Sequence, residues 1–529
     1  MLDDLKICRT HYLFPLLSCF TLMSSAAAAY YLKKKQTKIS FLRNYKGNRT
    51  EQIPSPPNKF PIIGHLLSLG KVPSKQVSIW HKEIGPLYQL QLGNQIWIMI
   101  ADPTIAHEIF VRQGSKSSSR PYHTFAVKIY GRNNKGIIFT SYSPKWKCER
   151  KAATAVLSPK SVDRFGEILE FEADSFIERI AQDNEKQTYI NPYENLQLCS
   201  LNIITTTCLA IRFDSISDPI FQKIARFVHG SMIYASMAGD IGSFFPGSAW
   251  LDTVTRKQKE MEDFVHEYRD VVYEKLVSNA LNGDAECLVK NLYQMMDEMK
   301  LDEDDILVFM SDFIGAGADT IAVSLYWTFA ILSQKMDVQE RVIQELDDWR
   351  KRHGNTNEFP QFNEHRDEFP YTMCVQKEIM RFRPTTNFGI PHSASEDIIV
   401  GNYVIPKGAI LVSSMAAMHM NPNFYDQPEV FNPDRFMSNT QRMSKAAHCK
   451  PSERDHFGFG WGKRICPGIH LAEVEIFNIY VRLFTRFKIE PEIDASGTPV
   501  FIDLNDFEDY GIVAKPLPFK VRLAPREVK

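Results

Sequence analysis

The chain has 529 residues, 44% of them apolar, and a formal net charge of -1. That apolar share supports a sizeable core and excludes general disorder, and the near-neutral balance gives no ground to expect nucleic acid as a partner. Nine cysteines are scattered with no CxxC pair, which excludes a disulfide-stapled secreted scaffold and fits a reducing compartment.

Read in chain order, residues 12–32 (YLFPLLSCFTLMSSAAAAYYL) carry no charge. As a helix they would run about 31 Å, close to the hydrocarbon thickness of a bilayer. Lys33, Lys34, Lys35, Lys38, Arg43, Lys46 and Arg49 follow, with no acid before Glu51. Excess Lys and Arg marks the cytosolic flank of a span, so 1–32 is expected to be a transmembrane anchor with the body in the cytosol. A cleaved signal peptide is the other reading, because SSAAAA offers small residues at a cut site. Asn48-Arg49-Thr50 is a glycosylation triplet that would matter only in a luminal chain. Residues 33–60 form a basic and then proline-rich linker, with PSPPNKFP at 54–61. The rest, 61–529, shows no clear repeat and no second linker, and is expected to be one catalytic domain.

Within that body, helical patterns are predicted at roughly 160–183, 256–280, 304–334, 336–351, 370–382 and 467–487. Short strand-like pieces fall at 87–101, 397–413 and 509–523. The fold class is therefore mainly α with small β-sheets. The body exceeds the usual domain size, which a large group at its centre would explain.

The most informative stretch is FGFGWGKRICPG at 457–468. Aromatics and glycines alternate, two basic residues follow, and one cysteine is capped by Pro-Gly. A helical pattern begins just after it, with Ile469, Ala472, Ile476, Ile479 and Leu483 on one face. Pro467 suits a first helical turn. Cys466 is thus expected at a helix N-terminus, where the dipole and free amides stabilise a thiolate. One thiolate without clustered partners does not suit tetrahedral zinc but suits haem, where a single axial thiolate is enough. Taken alone, a single cysteine is more often a small core residue. A phosphate loop is excluded, since Phe457 stands where GxxxxGK[ST] needs glycine and Arg464 follows the lysine.

Phe459, Gly462, Arg464, Cys466 and Gly468 spell FxxGxRxCxG. In this the chain resembles the cytochrome P450 family, and the resemblance runs over about residues 55–525. It implies the P450 fold around a buried haem b with Cys466 as axial thiolate. Three more stretches carry it. Ala316-Gly317-Ala318-Asp319-Thr320 lies in the apolar run 304–334; alone it reads equally well as helix packing. By resemblance it passes over the haem at Ala316, with Asp319 and Thr320 delivering protons to bound O2. Glu378 and Arg381 sit three apart on a helix and share a face. Alone that is a surface pair; by resemblance it is buried, completed by Arg435 of FNPDRF (431–436), and holds the region around the cysteine loop. Trp146 and Arg150, four apart in WKCER, resemble the positions that bind a haem propionate, with His392 and Arg464 as further partners. Read alone, Trp146 and Arg150 could equally sit on a solvated helix face, and His392 could be an ordinary loop histidine.

The resemblance implies a monooxygenase that places one oxygen atom of O2 in a lipophilic small molecule. A haem-thiolate isomerase or dehydratase, or a non-catalytic haem-binding protein, are the other readings. No GxGxxG opens a strand–helix unit, so electrons must come from outside. A membrane-anchored member implies an NADPH–cytochrome P450 reductase, with cytochrome b5 as a further partner, at the endoplasmic reticulum membrane. Arg442, Lys445, Lys450, Arg454 and Lys463 are the expected docking face. By resemblance the substrate pocket draws on 120–139, Phe313, Ala316, 385–390 around Phe388, and residues near Tyr510. The style of MRFRP and FNPDRF resembles fungal members more than mammalian ones.

Overall fold

The computed structural model describes residues 51–237, 239, 241–245, 255–354, 356 and 358–526. The expected anchor at 1–32, and most of the linker, lie outside the described residues.

The body is mostly helical, with four small sheets. Its axis is the helix Glu303–Leu332. Asp302 caps it: its carboxylate accepts from Asp305 N–H while the Asp305 side chain accepts from Asp302 N–H. That reciprocal pair satisfies two of the amides a helix start leaves open. Among the described residues this is the one helix long and apolar enough to cross a membrane, but 78% of its most apolar stretch is buried inside the fold. It is a core helix. Its first half, Ile306 to Ala318, packs with the helices Tyr193–Leu209, Pro219–Tyr234 and Val271–Asn282. Its second half, from Ile321, packs with Gly166–Lys186, Pro370–Phe382 and Ile469–Arg486. The change of partner falls at Asp319 and Thr320. Each large apolar side chain buried on either side contributes about 1.5–3 kcal/mol.

Most expected helices match within a few residues, and the deviations have local causes. The stretch 160–183 is two helices, Pro159–Asp163 and Gly166–Lys186. The stretch 256–280 carries a wider turn at His266–Asp270 between Lys257–Val265 and Val271–Asn282. The helix after the cysteine starts at Ile469 with Gly468 as its cap. Cys466 therefore sits in the turn before the helix rather than on its first turn.

The sheets place two loops. Leu87–Leu92 and Gln95–Ile100 form a hairpin around Gly93-Asn94. Gly93 has φ +54 and lies so close to Phe244 O that a Cβ would approach it to 2.3 Å, so only glycine fits the turn. The second strand pairs in parallel with Ile410–Ser413, which in turn holds His392–Ser393 through the His392–Leu411 register. A small hairpin, Phe507–Asp509 with Ala514–Pro516, presents Tyr510 at its turn.

Candidate functional site

Cys466 is half-buried in a tight loop. Its N–H donates to Phe459 O at 2.9 Å, which closes the turn. Gly460 and Gly462 have φ +78 and +53, and a Cβ at 462 would meet Phe110 O at 2.2 Å. These positions require glycine, which is why aromatics and glycines alternate here. The aromatics anchor the loop: Phe457 stacks on Trp461 at 5.2 Å and Phe459 lies 5.1 Å from His456. Burial pushes the Cys466 thiol up, while the Gly468 N–H and the Arg150 guanidinium pull it down.

The loop is tied to a buried ion pair. Arg381 donates to both oxygens of Glu378, at 2.7 and 2.8 Å, and neither residue is exposed. Arg381 Nη1 also donates to His419 O at 3.0 Å, and His419 Nε2 accepts from Phe457 N–H at 2.8 Å. Arg435 donates to Glu378 at 3.2 Å and to Asp426 O at 2.7 Å. One chain of hydrogen bonds thus runs from Glu378 to the start of the cysteine loop.

Beside Cys466 is a second group of basic residues with a different surrounding. Arg464 donates to Ser118 O at 2.9 Å, Ile137 O at 3.1 Å and Thr140 O at 2.6 Å. Arg120 donates to Ile138 O and Ile390 O at 2.8 Å and to Pro391 O at 2.9 Å. Arg150 donates to Ile465 O. His392 Nδ1 lies 2.7 Å from Ser117 O. Among the described residues none of the three arginines pairs with a carboxylate. Burial lowers Arg464 to about 8 and Arg120 to about 9, and mutual repulsion adds to it. Burial, Arg120 and Arg464 hold His392 well below the ordinary histidine range. Cationic groups held together without a counter-charge form a preorganised site for a dianion. Two propionates beside an axial thiolate fit that description, so the residues present fit a haem.

The other expected residues fall as follows. Trp146 is buried; its indole N–H donates to Ile137 O at 3.0 Å, and Arg464 lies over its ring at 4.0 Å. It therefore supports Arg464 instead of presenting a free donor. Within the buried central helix, Ala316 is exposed and Thr320 half-buried, one turn apart. Thr320 Oγ1 donates back to Ala316 O at 2.7 Å. Gly317 faces the opposite way: a Cβ there would meet the Ile204 side chain at 2.4 Å, so this glycine serves helix packing. Asp319 accepts from Tyr510 at 2.7 Å and from Tyr193 at 3.3 Å.

A small cavity of about 50 Å³ is lined by Trp97, Arg120, Tyr122, Phe139, Phe244 and Ile390, among others. It takes in parts of 120–139 and 385–390 and, near Tyr510, Ile512, but not Phe313, Ala316 or Phe388. Phe313 instead stacks on Phe309 at 4.8 Å.

One expectation is corrected. Arg454 does not belong to a docking face: it is 7% exposed, donates to Gly460 O at 3.0 Å and lies over Trp461 at 4.4 Å. Burial lowers it to about 10. It braces the cysteine loop from behind. Lys445, Lys450 and Lys463 are exposed, Arg442 is half-buried, and Lys147 and Lys151 join Lys463 around one open groove.

Sequence reasoning missed Arg120 and His419. A signal for Arg120 exists: the chain carries no acid between Glu108 and Glu149, although Arg112, Lys116, Arg120, Lys128, Arg132 and Lys135 lie there. His419 has no local signal, because its role depends on contacts with residues 38 positions away on either side.

Fold and donor set together define the class: a helical protein built around a thiolate-bound haem. A family model described as cytochrome P450 matches residues 54–523, and the chain belongs to that family. It is 26% identical over 482 residues to a phenylacetate 2-hydroxylase of Emericella nidulans, covering 88% of this chain and 89% of that protein. It is 27% identical over 429 residues to a flavonoid 3'-monooxygenase of Crocosmia x crocosmiiflora, covering 79% of this chain and 82% of that one. Among solved structures, a zebra fish cytochrome P450 with progesterone superposes with a TM-score of 0.71 at 25% identity, over 86% of this chain and 99% of that chain. The chain is accordingly an oxygen-incorporating oxidoreductase.

Proposed function

We propose that the chain hydroxylates a small lipophilic molecule carrying an aromatic ring, with electrons from an NADPH-dependent diflavin reductase. The observation that carries this is the adjacency of Asp319 and Thr320 on the central helix, where Ala316 and Thr320 open an otherwise buried stretch. That pair favours oxygen insertion over the isomerase or dehydratase reading. When bound, haem b would be held by Cys466 and would supply the oxygen-activating chemistry.

The chain's own residues do the rest. Arg120, Arg150, Arg464 and His392 would hold the two propionates. The Gly468 N–H and the Arg150 guanidinium offset part of the burial that pushes the Cys466 thiol up. Thr320, turned toward the Ala316 side, positions a proton donor there, and Asp319 supplies the proton. The aromatic wall of Trp97, Tyr122, Phe139 and Phe244 supports a flat apolar substrate. Two relatives from Emericella nidulans named for hydroxylating phenylacetates point the same way. The exposed Lys147, Lys151, Lys445, Lys450 and Lys463 form the docking face for the reductase, with cytochrome b5 as a second visitor to it. Residues 1–32 anchor the chain in the endoplasmic reticulum membrane.

The test is a reconstitution with NADPH, reductase and a panel of ring compounds, read by spin-state shift and product mass. A thiolate-type spectrum of the ferrous carbonyl adduct and an oxygenated product are expected. Cys466→Ser should abolish both. A histidine-type carbonyl spectrum in the unmutated protein would remove the reading.

A further inference from the structure

One buried carboxylate gathers side chains from two other parts of the chain. Asp319 is 1% exposed. Tyr510 Oη–H donates to Oδ2 at 2.7 Å, and Tyr193 Oη–H to Oδ1 at 3.3 Å. Gln197 Nε2 donates to Tyr193 Oη at 3.2 Å and to Asp319 Oδ1 at 3.4 Å. Tyr193 opens the helix Tyr193–Leu209, while Tyr510 sits in the turn of the Phe507–Asp509 hairpin. Gly511, at φ +107, presses that turn against Met232 O, where a Cβ would come to 2.3 Å. The hairpin therefore has one seat, and Tyr510 has one direction.

The surroundings suit proton movement. Lys515 Nζ lies 4.6 Å from the Tyr193 ring centre and 5.3 Å from that of Tyr510, and pairs with Glu508 at 3.3 Å. The His229 ring is 4.6 Å from that of Tyr510. Exposure falls inward: Tyr193 is half-buried, Tyr510 is 6% exposed and Asp319 1%. A hydroxyl donates and accepts at once, so it can hand a proton on without itself becoming charged. Successive residues on a helix point about 100° apart. Asp319 thus faces the tyrosines while Thr320 faces the Ala316 side, and a buried carboxylate that gives its proton away needs a route to regain one.

We propose that Tyr193 and Tyr510 are positioning residues forming a proton relay that reloads Asp319 from the hairpin side of the molecule. This rests on the monooxygenase reading, whose turnover consumes two protons with two electrons and one O2 to leave hydroxylated product and water. When Asp319 releases a proton toward Thr320, the Tyr510 hydroxyl proton passes to Oδ2. Tyr193, which donates to Oδ1, serves that oxygen in the same way, and water replaces the proton that either phenol gives up. One O–H bond forms for each that breaks, and no charge remains in the relay. Burial and the Asp319 charge push both phenols up, so each keeps the proton that a donor must hold.

The test uses the haem-loaded full chain with Tyr510→Phe, Tyr193→Phe and, as controls, Asp319→Asn and fluorotyrosine at 510. Phenylalanine keeps the ring and removes only the hydroxyl. In Tyr510→Phe, the carboxylate infrared band that Asp319→Asn deletes should shift. The peroxide share of consumed NADPH should rise several-fold, the solvent isotope effect should grow, and the carbonyl spectrum should stay unchanged. Tyr193→Phe should do the same more weakly, and fluorotyrosine should restore coupling. If Asp319→Asn uncouples while both phenylalanine variants keep the original peroxide share and isotope effect, the relay is wrong and the monooxygenase reading stands. If the unmutated protein with reductase makes neither product nor peroxide, both fall.

Discussion

Two groups of buried and half-buried arginines in this molecule are built on opposite plans. Arg381 and Arg435 meet Glu378, and every charge has its partner inside the protein. Among the described residues, Arg120, Arg150 and Arg464 meet backbone carbonyls and, for Arg464, the Trp146 ring, but no carboxylate. A buried charge without a counter-charge is costly, so a fold keeps one only where a partner arrives from outside. The first group is scaffold, complete in the polypeptide. The second is a receptor, complete only with an anion. Their neighbours agree: the Glu378 group reaches the cysteine loop through His419, and the Arg464 group flanks the thiol itself.

The contrast breaks most readily at Glu378. Glu378→Ala leaves two buried guanidiniums facing no acid, which costs about 3–5 kcal/mol. The expected outcome is little soluble, haem-loaded protein, measured as yield and carbonyl spectrum. Replacing Glu378 and Arg381 together with methionine should recover part of the loss, because only the half-buried Arg435 is then left without its acid. A soluble, fully loaded Glu378→Ala protein would make the pair a bystander.

The receptor group should respond differently. Arg464→Gln should loosen haem roughly tenfold, as loss of a charge-assisted hydrogen bond worth about 1.5–3 kcal/mol implies. Haem transfer to apomyoglobin measures it. The fall in melting temperature should be larger with haem than without. Equal falls in both forms would put Arg464 in the scaffold class.

The smallest effect sharpens the comparison with an acid in the opposite predicament. Glu149 is 1% exposed, and neither carboxylate oxygen has a hydrogen-bond partner. Burial, with nearby Asp305, raises it from 4.5 to about 8, while Lys145 pulls the other way. Its folded value lies above its unfolded one. The stability it contributes is therefore complete below about pH 4.5 and lost as pH rises through about 8. Glu149→Gln should flatten the fall in melting temperature between pH 6 and pH 9, measured by calorimetry across that range. An unchanged slope would mean that water reaches the carboxyl.

Part of this was legible beforehand. The helix Pro370–Phe382 matches its periodic pattern end to end, because proline starts it and one apolar face is buried. Tyr193–Leu209 had no such signal. It is buried nearly all round, and its run of Ile, Thr and Cys reads as strand as readily as helix. The cysteine loop was legible because glycine, aromatic and cysteine types each answer a local demand. Arg454 was misplaced because a basic residue near that loop looks the same in sequence whether it faces solvent or Trp461.

Local chemistry thus determined the thiol's turn, the central helix with Asp319 and Thr320, and the Glu378–Arg381 spacing, since each lies within about ten residues and obeys helix or turn geometry. Tertiary structure alone decided that three arginines from distant segments share one uncompensated pocket, and that Tyr193 and Tyr510 close on a single carboxylate. Those contacts span 126 and 191 positions. No periodicity reaches that far; packing of the two core halves against the central helix sets them.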